Sequence, residues 1–121
     1  MYELTVEREF CAAHAIMIGG RLEPLHGHNW RVRITVIGEE LDANGLLCDF
    51  HAIESRLDRI IAPLHNGNLN ATPPFDQINP TAENIAAWIF NQLDPLVSTE
   101  SRRLEKVTVW EGRRAAASCL R

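Results

Sequence analysis

The sequence predicts an α+β fold: an antiparallel sheet with two helices on one face. Three observations carry this. Period-two alternation of apolar and polar residues, the mark of a half-buried strand, gathers at the two ends of the chain. Two stretches with apolar residues at three- and four-residue steps lie together in the middle. Strands grouped apart from helices give an antiparallel sheet rather than a parallel βαβ array.

Each element follows from its own residues. Leu4 and Val6 alternate with charged residues, and Phe10, Ala12, His14 and Ile16 continue one side of the same extended segment. Gly19-Gly20 marks a turn, and Trp30 to Val36 alternates as a second strand. Asp42-Ala43-Asn44-Gly45 is a further turn, because Asn-Gly tolerates positive φ, and Gly45 to Phe50 then returns as a short strand. Ile53, Leu57, Ile60, Ile61 and Leu64 form the apolar face of a first helix. A second helix starts at Asn79-Pro80-Thr81-Ala82-Glu83-Asn84, where Thr81 suits the N-cap and Glu83 complements the helix dipole. Its core face is Ile85, Trp88 or Ile89, and Leu93, and Asp94-Pro95 ends it. The loop from His65 to Asn79 is long, which in a compact domain points to function. Lys106 to Glu111, a turn at Gly112, and Ala115 to Leu120 close the chain as two strands.

With 121 residues and no linker, repeat or low-complexity tract, residues 1–121 read as a single domain. Twelve basic and sixteen acidic residues are interleaved along the chain, so there is no basic stripe and no nucleic-acid partner is expected. No run of 18 apolar residues and no apolar signal core occur, so no membrane association is expected. Cys11, Cys48 and Cys119 are odd in number, widely spaced and lack a C-x-x-C pair. That pattern suits a reduced, cytoplasmic protein. Alternation sets Cys11 on the face opposite His14, as a small core residue.

Three histidines carry the chemistry. Residues two apart in a strand project from one face, so His26 and His28 can aim at a single ion. His14 lies on a segment that can run beside them. Three imidazoles with an open fourth position are how a catalytic Zn2+ is held, whereas a structural site takes four ligands, mostly thiolates.

These histidines stand with Phe10 to His14, Leu25-His26-Gly27-His28-Asn29, Asp49-Phe50, the Thr81/Glu83 helix start and a late strand ending in Glu111, in that order. In this the chain resembles the 6-pyruvoyl-tetrahydropterin synthase and 6-carboxy-tetrahydropterin synthase family nearly end to end. The resemblance implies the tunnelling fold, in which sheets of three subunits join into a trimeric barrel and two trimers stack into a homo-hexamer. Such joining would cover the open edges of a small sheet. It implies zinc on His14, His26 and His28, acting as a Lewis acid on the side-chain hydroxyls of 7,8-dihydroneopterin triphosphate. It implies that Glu111 anchors the guanidine-like edge of the pterin, whose paired N–H donors match a carboxylate, with Thr81 assisting there.

Two departures bear on activity. Where the family has its usual catalytic cysteine, four residues before the His-Gly-His string, this chain has Leu22. Glu23 follows it, and Glu23-Pro24-Leu25-His26-Gly27-His28 is similar to a subgroup that cuts the side chain to 6-hydroxymethyl-7,8-dihydropterin for folate synthesis. A carboxylate there serves as a general base if burial raises its pKa. The family's Leu-Asp-His-x-x-Leu-Asn loop reads Leu64-His65-Asn66-Gly67-Asn68-Leu69-Asn70, with histidine in the aspartate's place and asparagine in the histidine's. Glu23 and His65 are therefore the two side chains that can replace the missing groups, and Arg21, Arg113 and Arg114 are the arginines available to a triphosphate.

The expected function is a zinc-dependent pterin lyase giving 6-hydroxymethyl-7,8-dihydropterin, or the 6-carboxy-tetrahydropterin of the queuosine route. The alternative is a non-catalytic pterin- or purine-binding module that keeps zinc and pocket.

Overall fold

A computed structural model describes residues 1–121. Strand β1 (Tyr2–His14) pairs antiparallel with β4 (His26–Gly38) along its whole length, from Tyr2 opposite Gly38 to His14 opposite His26. On the far side of β4 lies β6 (Arg102–Glu111), and β7 (Ala115–Leu120) follows it antiparallel. The two-residue β5 (Gly67–Asn68) runs parallel beside Ala12 and Ala13, giving the order β5-β1-β4-β6-β7. A small separate hairpin, β2 (Met17–Ile18) and β3 (Arg21–Leu22), links β1 to β4. Gly19 and Gly20 turn it with φ of 58° and 79°, a region where a Cβ is unfavourable.

Alternation decides which face is covered. Val6, Phe10, Val32, Ile34, Val36, Val107 and Val109 share one core with Ile53 and Leu57 of α1 (Phe50–Ile61) and Ile85, Ile89 and Leu93 of α2 (Ala82–Val97). Helix α1 packs on β1, and α2 on β6 and β7. The opposite face is polar: Arg33 pairs with Glu7 at 2.7 Å, and the guanidinium groups of Arg31 and Arg33 lie 4.2 and 5.0 Å from the Trp110 ring. No helix is long and apolar enough to cross a membrane.

Four local expectations need correction. Gly45 to Phe50 is not a strand: the Asp42 carboxylate accepts from the Asn44 and Leu46 amides, and Asp49 caps α1 by accepting from His51 at 2.9 Å. Those side chains compete with a ladder for the same backbone groups. The first helix ends at Ile61, and Leu64 belongs to a 3-10 turn over Ala62–Leu64 that contains Pro63. Asp94-Pro95 does not end α2, which runs on to Val97. Proline in the last turn removes only one backbone bond, and Val97, 1% exposed, is worth burying. Cys11 does lie on the other face from His14, but that face is open, so its thiol is exposed rather than core. Cys48 is buried, and burial pushes its thiol pKa up, away from reactivity.

Candidate functional site

The polar residues on the covered face collect at one end of the sheet. His14 and His26 are direct cross-strand partners, His28 is two residues along β4, and Glu111 ends β6 opposite Trp30. One ligand atom from each of His14, His26, His28 and Glu111 lies within 4.8 Å of the others. Trp30, fully buried, forms the floor of this cluster, edge-on to His14 and His28 at ring separations of 4.8 and 5.4 Å.

Tautomers are set from outside the cluster. His14 is fully buried, and its Nδ1 lies 2.8 Å from the carbonyl oxygen of Pro80, immediately before the Thr81 cap of α2. Nδ1 of His26 lies 2.9 Å from the carbonyl oxygen of Pro24. A carbonyl only accepts, so both Nδ1 atoms carry a proton, which in a neutral ring leaves Nε2 as the atom able to hold a metal. Nε2 of His28 is buried with no hydrogen-bond partner, although Oε1 of Glu111 approaches to 2.8 Å, because that oxygen lies off the direction in which the ring can bond. Burial is the main cause lowering the His28 pKa from 6.5, which favours the neutral ring. Three imidazoles whose Nε2 atoms converge, one of them orphaned, fit a zinc ion. The group fits the residues present.

Glu23 sits at the rim. Its backbone N–H donates to Ile16 O at 3.0 Å, while its Oε1 accepts from Ile16 N at 3.1 Å and lies 3.7 Å from His26 Nε2. This clamp brings Glu23 beside the histidines instead of leaving it loose in a turn. His65 is elsewhere: its Nδ1 accepts from the Cys11 amide at 3.1 Å, on the β5 side of β1 and outside the cluster. Thr81 caps α2, its hydroxyl accepting from Asn84 N at 3.1 Å. Arg113 and Arg114 follow Glu111 in the β6–β7 turn, and Arg21 lies in β3, all exposed at this end of the sheet.

Sequence reasoning missed two supporting residues. The Asn70 amide bonds both backbone groups of Ala15, at 2.8 and 2.7 Å, and the Asn79 amide bonds both of Met17, at 2.8 and 2.9 Å. Each acts as a one-residue strand, pinning the segment that leads from His14 to Glu23. The only trace in the sequence was an asparagine-rich loop, at Asn66, Asn68, Asn70 and Asn79.

Fold and site together define a class: an antiparallel α+β protein with a histidine–carboxylate pocket suited to a metal ion. The chain belongs to the 6-pyruvoyl tetrahydropterin synthase family, whose pattern matches residues 3–121. It is 34% identical to the dihydroneopterin monophosphate aldolase of Pyrococcus furiosus, over 85% of this chain and 83% of the relative. It is 31% identical to the 6-carboxy-5,6,7,8-tetrahydropterin synthase of Synechocystis, over 78% of this chain and 76% of that one. Among solved structures, a Plasmodium vivax 6-pyruvoyltetrahydropterin synthase with a catalytic glutamate changed to cysteine superposes with a TM-score of 0.78. It is 25% identical and covers 99% of this chain and 97% of its own.

Proposed function

We propose that this chain is a pterin-processing lyase that uses zinc on His14, His26 and His28 to cleave the side chain of 7,8-dihydroneopterin triphosphate or a less phosphorylated relative. The convergence of three Nε2 lone pairs beside two carboxylates, Glu111 and Glu23, carries this reading. Bound zinc would supply Lewis acidity to a side-chain hydroxyl. Glu111 holds the paired N–H donors of the pterin, with the helix start at Thr81 beside it through Pro80 and His14. Glu23, clamped on Ile16 next to His26, takes the proton that Leu22 cannot. A catalytic glutamate in the Plasmodium vivax relative supports a carboxylate in that role. His65 stands further off, its Nε2 unengaged, for a phosphate or a second proton transfer.

The name of the Pyrococcus relative favours side-chain cleavage over the 6-carboxy product of the Synechocystis relative. Open edges along β7 and most of β1 support assembly into the trimeric barrel and a dimer of trimers, and three free cysteines support a cytoplasmic setting. Zinc-loaded protein incubated with dihydroneopterin mono- and triphosphate, with products followed by mass spectrometry, is expected to yield 6-hydroxymethyl-7,8-dihydropterin. Glu23→Gln is expected to lower turnover about 10²–10⁴-fold without changing zinc content. Pterin binding with no product would leave a binding module instead.

A further inference from the structure

Between the end of β1 at His14 and the start of β4 at His26 the chain leaves the main ladder. Residues 17–22, which form the β2–β3 hairpin, are all exposed, so no buried side chain fixes where this excursion lies. Glu23 is nonetheless held, through three consecutive residues whose backbone groups are all engaged. Asn70 takes the N–H and C=O of Ala15, at 2.8 and 2.7 Å, and Asn79 takes those of Met17, at 2.8 and 2.9 Å. Glu23 takes both groups of Ile16 between them, through its own amide at 3.0 Å and its Oε1 at 3.1 Å. In an extended run the backbone groups of successive residues point to opposite edges. The asparagines therefore grip one edge of this segment and Glu23 the other. Each asparagine is itself fixed. Asn70 lies in a 3-10 turn over Leu69–Ala71 whose Leu69 is fully buried, and its amide donates to Asn68 Oδ1 at 3.0 Å. The carbonyl of Asn79 accepts from the Thr81 amide at 2.8 Å and from the Asn84 side chain at 2.9 Å, at the start of α2. Oε2 of Glu23 engages no group of the chain, so one carboxylate oxygen is used for holding and the other is left for a substrate.

We propose that Asn70 and Asn79 are positioning residues for the Glu23 carboxylate: acting through Ile16, they fix where it stands relative to the side chain of a bound pterin. The proposal rests on the reading of Glu23 as the group that takes the substrate's proton. Without the asparagines Ile16 would still bond to Glu23, but the pair would move with a hairpin that buries nothing. A general base has to come within about 2.6–3.2 Å of the atom whose proton it removes. A displacement of about 1 Å, caused far from the reacting atoms, costs on the order of 100-fold in rate. The long loop from His65 to Asn79 thus serves the site from positions 70 and 79, through backbone hydrogen bonds rather than through contact with the substrate.

Zinc-loaded Asn70→Ala and Asn79→Ala are compared with wild type on dihydroneopterin mono- and triphosphate. Each is expected to lower kcat about 10–100-fold. KM, and zinc affinity measured by chelator competition, are expected to stay within about threefold of wild type, since the loss falls on the transition state alone. In a Glu23→Gln background either substitution is expected to lower the residual rate by less than about threefold, because no base is left to misplace. Hydrogen exchange at the Ile16 amide is expected to be slow in wild type and faster in both alanine variants. Wild-type kcat in either variant overturns the proposal. So does a zinc affinity that falls in step with kcat, which would make the asparagines supports of His14 instead. An equal fold-loss with and without Glu23 overturns it as well. Rapid exchange at Ile16 in wild type does the same even where neither alanine variant folds. Failure of the underlying reading looks different, and takes this proposal with it: wild type gives no product, or Glu23→Gln keeps wild-type turnover.

Discussion

In the middle of the sheet Val32 faces Val109 and Ile34 faces Val107, all fully buried beneath the two helices. Further along the same strands, on the same face, His14 faces His26 and Glu111 faces Trp30. Backbone pairing and alternation are identical in the two regions. The apolar region is complete as it stands, each Val or Ile contributing roughly 1.5–3 kcal/mol by leaving water. The polar region is incomplete: an unpartnered buried nitrogen such as His28 Nε2 costs about 1–3 kcal/mol until something meets it. One stretch of sheet stores stability, and the next gives some up at the candidate site.

The comparison can be broken at either end. Ile34→Ala should have the largest effect, lowering the free energy of unfolding by about 2–5 kcal/mol in urea denaturation. A loss below about 1 kcal/mol would mean that the core is less tightly packed than its burial implies. His28→Ala should do the reverse. Zinc affinity should fall by more than about 100-fold, because loss of a supporting partner alone costs 10–100-fold. Metal-free stability should stay level or rise, since the orphaned nitrogen is gone. A metal-free His28→Ala protein as unstable as Ile34→Ala would remove the contrast.

Thr81→Ala sharpens the boundary between the regions, because Thr81 caps α2 and Pro80 beside it holds His14. About 1 kcal/mol of stability should be lost with the cap, together with a few-fold loss of zinc affinity by chelator competition. An unchanged affinity would show that Pro80 holds its place without the cap. The smallest effect concerns pH in the metal-free protein. The His28 pKa is lowered from 6.5 on folding, so below about pH 6.5 the unfolded chain binds more protons and stability falls as pH falls, levelling off below the folded value. His28→Gln should lose less stability than wild type between pH 7.5 and 5. Parallel pH profiles would place the titrating group elsewhere.

The three histidines of the candidate site were legible because each carries a local signal. His26 and His28 share a face by simple alternation, and the pattern that reads Val6, Phe10 and His14 as one side of β1 is the same one. Thr81 was legible as a cap for a similar reason, since the residue and its Asn84 partner are three apart. The short strand expected over Gly45 to Phe50 failed because Asp42 and Asp49 turn the backbone with their own carboxylates, a contest that apolar pattern does not reveal. Pro95 misled because what it costs a helix depends on how near the end it falls.

By itself the sequence determined the strand and helix faces, the three imidazoles and the chemistry they suit. All of these rest on residue type and short-range period. Only the tertiary structure decided that Pro80 and Pro24 hold two of the rings, that Glu23 is clamped on Ile16, and that Glu111 reaches the histidines while His65 does not. All but the Glu111 contact depend on backbone carbonyls and amides, which are the same in every residue and leave no mark in the sequence. Most also depend on contacts across many positions of the chain, as from His14 to Pro80 or Glu111, which only the folded sheet brings within bonding distance.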